Sequence, residues 1–175
     1  MLEKDEQIFK NLYGSPKFID IEECPKEITC LLEKFSPLYK EGKLPQRKDF
    51  DPKDFKKILP NLMLIDLIFE KDIVVDTLVK YEGSELDWVY TPHSQKLISK
   101  IPDKEVMERH LFMVNCAVMA RKPITYSVDI LNRKHTFWGG NFALVPFSET
   151  QQQITQILGI YVKKEGATPS LAKMA

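Results

Sequence analysis

The sequence predicts an α+β domain: a five-stranded antiparallel sheet with helices on one face and a flanking helix on the N-terminal side. Three observations carry this. Two pairs of strand-like segments, 62–69 with 73–81 and 124–131 with 136–147, are each separated by a turn's length of polar residues. A strongly helical segment lies between the pairs. A last alternating segment, 154–163, closes the sheet.

The elements follow in chain order. Residues 1–24 read as a leader, with Gly14, Ser15 and Pro16 making a turn. A single domain spans 25–165, and 166–175 reads as a flexible tail. The flanking helix covers about 25–41: Pro25 suits a first helical position, and Ile28, Leu31, Leu32, Phe35 and Tyr39 recur at helical spacing. Pro37 predicts a kink or restart, because proline lacks the N–H that a helix interior needs, and Gly42 stops the helix. Asp51 is an N-cap for a short second helix with Pro52 at its first position, and Pro60 ends it.

Segment 62–69 is apolar almost throughout, which predicts a strand covered on both faces. Segment 73–81 is rich in β-branched residues. Residues 83–103 read as irregular, with Gly83, Pro92 and Pro102 as breakers. Asp103 then caps a helix to about Ala120 whose second half is apolar almost all round, so it is either deeply buried or covered by a partner. In 124–131, Ile124, Tyr126, Val128 and Ile130 alternate with Thr125, Ser127 and Asp129. Gly139 and Gly140 inside the next strand point to a bulge or a close approach.

Composition excludes several function classes. The chain has 175 residues, and its 25 basic and 25 acidic side chains cancel, so no global field draws it to nucleic acid or an anionic membrane. Lys53, Lys56 and Lys57 are interleaved with Asp51 and Asp54 and read as a solvated face. No apolar run approaches the roughly 20 residues of a membrane span, and the acidic start is unlike a signal peptide. A cytoplasmic location is expected. Three cysteines without a C-x-x-C pattern argue against a disulfide framework.

Certain motifs resemble a known family. The run Gly42-Lys43-Leu44-Pro45-Gln46-Arg47-Lys48-Asp49-Phe50-Asp51-Pro52, followed by Leu59-Pro60-Asn61-Leu62-Met63-Leu64-Ile65-Asp66, resembles the opening of PAS-like domains common in alphaproteobacteria. Val79-Lys80-Tyr81-Glu82-Gly83-Ser84, Lys122-Pro123 and Leu144-Val145-Pro146-Phe147-Ser148 resemble later family motifs in the same order, so the likeness covers roughly 27–163. Lys80 and Glu82 depart from the usual residues, and the family's D-x-T-G after the second strand is not recognisable. The resemblance implies a five-stranded PAS-type sheet and a sensing or interaction role, with no catalytic residues. It places ligand pockets near the loop after Gly83.

The candidate site follows from the inward face of that sheet. Trp88, His93, His110, Tyr126, Trp138, Asn141 and Phe142 are the candidate ligand-binding residues, an aromatic group with a few polar ones, as pockets are commonly lined. The competing account is that the aromatics simply fill the core. His93, His110 and His135 lack zinc spacing, and His110 reads as a core histidine bonded to a backbone carbonyl. Cys116, mid-helix among apolar residues, is neither an activated nucleophile nor in a flavin-sensor motif. No cofactor is required by the sequence, and haem and flavin are argued against. Two functions remain: a small-ligand sensor signalling to a partner protein, and a ligand-free interaction adaptor with a filled core. An enzyme is not expected. Homodimerisation is expected through Ile28, Leu31, Leu32, Phe35 and Tyr39, since leaving such a stripe wet would be costly.

Overall fold

The computed structural model describes residues 16–88, 95–102, 104–131 and 137–164; for 87, 88, 105, 129–131, 137 and 138 it describes the backbone alone. The expectations for residues 1–15 and 166–175 lie outside the described residues.

The sheet contains β1 (Lys17–Phe18), β2 (Leu62–Glu70), β3 (Ile73–Glu82), β4 (Ile124–Leu131), β5 (Phe137–Phe147) and β6 (Gln156–Lys163). Its order is β1-β4-β5-β6-β2-β3, and all described pairings are antiparallel. Among the described residues the two α-helices are α1 (Lys26–Lys40) and α2 (Lys104–Ala120). Among the described residues no helix is long and apolar enough to cross a membrane.

The five long strands stand where the alternation placed them. The sixth corrects the expected count. Lys17 and Phe18, read as leader, pair with Ser127 and Tyr126, and Ile19 N–H donates to the Thr125 carbonyl at 3.1 Å. Two residues between Pro16 and Ile19 are too short to show a period, which is why the alternation missed them.

The second correction concerns the layers. The helices lie on both faces of the sheet. α1 buries Ile28, Leu31, Leu32 and Phe35 against Ala143, Val145 and Phe147 of β5 and Leu158 and Ile160 of β6. α2 buries Met113, Val114 and Ala117 on the opposite face, with Met63 and Ile65 of β2 and Phe142 and Leu144 of β5. Each central strand therefore feeds two cores by simple alternation.

The expected dimer stripe is consequently wrong. Ile28 and Leu31 are fully buried, and Leu32 and Phe35 are 4% and 1% exposed, all within one chain. Phe35 packs on Phe55 and Phe147, with ring centroids 6.2 and 5.3 Å away. The Tyr39 hydroxyl donates to the Pro146 carbonyl at 2.6 Å, and burial pushes the Tyr39 pKa far up. The stripe belongs to the domain core.

α1 runs through Pro37 to Lys40 instead of restarting. Pro37 falls in the last turn, and the main chain there recloses through Glu41 N–H to the Pro37 and Leu38 carbonyls. The segment expected as a second helix is a set of tight turns, Pro52–Phe55 and Leu59–Asn61, the first capped by the Asp51 carboxylate accepting from Lys53 N–H at 2.9 Å. β5 pairs continuously through Gly139 and Gly140, so the glycines make no bulge against β4. The bulges sit in β3, where Val75 and Lys80 are skipped by the pairing with β2.

Candidate functional site

The chamber lies between the sheet and α2. Alternation along β4 and β5 turns Tyr126 and Phe142 toward α2, and their register partnership stacks the rings at 4.9 Å and 3°. Tyr161 of β6 continues the row, its ring 5.0 Å from that of Phe142. Gly140 makes room for Tyr161: a Cβ there would lie 2.2 Å from Tyr161 Cε2. This is the close approach that the paired glycines suggested.

A small void remains beside these rings, about 10 Å³, lined by Met63, Leu86, His110, Val114, Tyr126, Phe142, Leu144, Gly159 and Ile160. That is room for about one water molecule. Leu86 reaches it from the turn Ser84–Trp88, directly after Gly83.

His110 is the titratable nitrogen group of the void. Its Nε2 lies 2.9 Å from Thr77 Oγ1, and both residues are buried. The partner on Nε2 is a hydroxyl of the neighbouring strand. Burial lowers the His110 pKa to about 4, against the opposing pull of the Asp76 carboxylate. The imidazole is therefore neutral at neutral pH. Asp76 in turn holds the chain before α2: its carboxylate accepts from Ser99 Oγ at 2.6 Å and from Ser99 N–H at 3.1 Å.

Of the candidate residues, the structure brings His110, Tyr126 and Phe142 together. Asn141 is on the wrong face. It precedes Phe142 on one strand, so it points to the α1 side, paired in register with Ser127 and Val162. His93 lies outside the described residues, as do the side chains of Trp88 and Trp138. The reading missed Thr77, Met63, Leu86, Val114, Leu144 and Tyr161. The alternation expected over 154–163 assigned neither of its two residue sets to the chamber, so Tyr161 went unnamed. With both faces covered, the set Ile157 and Tyr161 faces α2.

Among the described residues no three His, Cys, Asp or Glu side chains group as metal ligands, and Cys24, Cys30 and Cys116 form no disulfide.

The opening motif serves as scaffold. Gln46 N–H donates to the Asp49 carboxylate at 2.8 Å, and the Arg47 guanidinium sits 5.2 Å over the Phe50 ring. Gln151 brackets Leu44, its Oε1 accepting from Leu44 N–H at 2.7 Å and its Nε2 donating to the Leu44 carbonyl at 2.8 Å. These contacts tie the motif to the β5–β6 loop, away from the chamber.

No family model matches the chain, and no curated protein matches it. Among solved structures it is similar to the Vibrio cholerae VqmA dimer, studied as a LuxR-type receptor. That similarity has 8% identity and a TM-score of 0.44, covering 64% of this chain and 49% of that one. The chain thus spans about half the length of that structure, and a likeness this distant carries no argument about fold or function.

Proposed function

We propose that the chain is a PAS-type sensory module that works inside the cell without catalysis. In this reading a small ligand enters the chamber beside His110, and the signal passes to a partner protein. The carrying observation is the void itself. It is lined mostly by apolar side chains, with the His110 imidazole and Tyr126 among them, and Leu86 reaches it from the loop after Gly83, where the family resemblance puts pockets. Antiparallel strands at the expected positions support the same reading.

The size of the void favours a second reading. About 10 Å³ admits one water, so a ligand of several heavy atoms requires Leu86 and its segment to move. Without that movement the core is filled, and the module is a ligand-free adaptor that acts through its surface. A dimer in either reading uses a surface other than the α1 stripe.

Native mass spectrometry separates the two. Protein purified under native conditions should carry a mass excess that disappears on denaturation, and Val114→Phe, which fills the void, should abolish it. A native mass equal to the chain mass, with Val114→Phe more stable and still binding its partner, would establish the adaptor instead.

A further inference from the structure

α1 and α2 cover opposite faces of the sheet, yet their C-terminal ends are both held by one loop, between β5 and β6. On the α2 side, Arg121 follows the helix directly, and its N–H still closes on the Ala117 carbonyl at 3.1 Å. Its guanidinium donates to the Gln151 and Gln152 carbonyls, each at 2.8 Å.

On the α1 side, Lys43 N–H closes back on the Leu38 carbonyl at 2.9 Å, and the loop then holds each of the residues that follow. The Gln151 carboxamide grips both main-chain groups of Leu44. Ser148 N–H donates to the Pro45 carbonyl at 2.8 Å. Glu149 accepts from the Gln46 carboxamide on its carbonyl at 2.8 Å and from Arg47 N–H on its carboxylate at 2.7 Å.

Two features make this bridge stiff. Bonds from one planar fork to successive carbonyls fix orientation as well as distance, so the loop follows Arg121. Arg121 and Gln151 also both have left-handed backbone, at φ +50° and +66°. Residues other than glycine keep that conformation where their surroundings impose it. The bridge begins at the chamber, because Val114 of the void lies about two helical turns before Arg121 on one rigid element.

We propose that the β5–β6 loop is a transmission link, through which a displacement of α2 over the chamber moves Leu44 to Arg47 beside the end of α1. For its trigger, and for that alone, the proposal rests on the ligand-binding reading. The competing account is a set of surface hydrogen bonds that water replaces without loss.

Amide hydrogen exchange in the full chain, followed by NMR, tests the link. The reporters are Leu44 and Arg47, whose N–H groups donate to the loop. Arg121→Ala should speed exchange at both about tenfold, while the β6 amide of Ile157 keeps its rate. Gln151→Ala, which removes the acceptor itself, should free Leu44 at least as much. Faster exchange in Arg121→Ala confined to 149–153 and the last turn of α2 would make the arginine a local brace and overturn the proposal. Val114→Phe pushes on α2 without any ligand. It should change exchange at both reporters by about threefold or more when Arg121 is intact, and leave them unchanged once Arg121 is alanine. Reporters indifferent to Val114→Phe overturn the proposal as well. Should Val114→Phe not fold, Val114→Leu applies a smaller push and decides by the same criterion. None of these readings depends on bound mass in the native spectrum, so failure of the link and failure of the ligand-binding reading are told apart.

Discussion

The Asn115 carboxamide on α2 pairs with both main-chain groups of Val74 on the outer edge of β3. Val74 N–H donates to Asn115 Oδ1 and Asn115 Nδ2 donates to the Val74 carbonyl, each at 2.9 Å. One side chain thus stands in for a neighbouring strand. Farther along, Thr77 N–H donates to the Asp76 carboxylate, Val79 N–H to the Lys96 carbonyl, and Gln95 N–H to the Val79 carbonyl. An edge supplied in this way is a poor template for another chain.

Asn115→Ala should cost about 2 kcal/mol, because it leaves two partly buried main-chain groups without partners. Asn115→Asp should also destabilise, since it keeps the acceptor and loses the donor. Urea midpoints measure both. Midpoints equal to wild type would mean that water satisfies Val74 equally well.

His110 sets a pH dependence. Its pKa falls from 6.5 to about 4 on folding. Above about pH 6.5 both states are neutral, and the group adds no slope. Between the two values the unfolded chain binds a proton that the folded chain refuses, so stability falls as pH falls, by up to about 1.4 kcal/mol per pH unit. Below about pH 4 the loss levels off. His110→Gln should flatten the curve of urea midpoints over that window. An equal slope in wild type and variant would assign it to other groups.

Leu32→Asp combined with Phe35→Asp should unfold the domain. Phe35 meets Phe55 and Phe147, and an unpaired carboxylate there would be buried. Loss of the cooperative melt is expected. A folded double mutant of altered association state would restore the dimer stripe.

Two glycines should respond differently to alanine. At Gly83 a Cβ would lie 2.2 Å from the Pro60 carbonyl oxygen and 2.4 Å from that of Leu59, and backbone cannot swing aside. Gly83→Ala should cost about 3 kcal/mol or more. Gly42 has open space but φ +72°, so Gly42→Ala should cost only about 1 kcal/mol of backbone strain. Equal costs would refute the crowding at Gly83.

The strands were legible because Tyr126, Val128 and their polar neighbours alternate, and because Glu70, Lys71 and Asp72 break two apolar runs. The second layer was not. An amphipathic stripe such as Ile28, Leu31, Leu32 and Phe35 states that something covers it, without saying whether its own sheet or another copy does. The clue was present in β2: consecutive buried residues Leu62, Met63, Leu64 and Ile65 need cover on both faces, which a single layer of helices cannot give. Placing Asn141 with Phe142 ignored that same alternation. Thr77 and Leu86 were illegible because their places depend on the β3 bulges and on the turn after Gly83, which pattern does not encode.

The strand order has a consequence for synthesis. β6 is flanked by β5 and β2, so it alone joins the β2–β3 hairpin to the β4–β5 hairpin. Met63 meets Gly159 across that junction, and neither core can close before it forms. A growing chain therefore carries two separate ribbons with wet apolar faces until β6 has emerged. Pairings this far apart in sequence close slowly, and the unpaired edges of the two ribbons stay open to other chains in the interval.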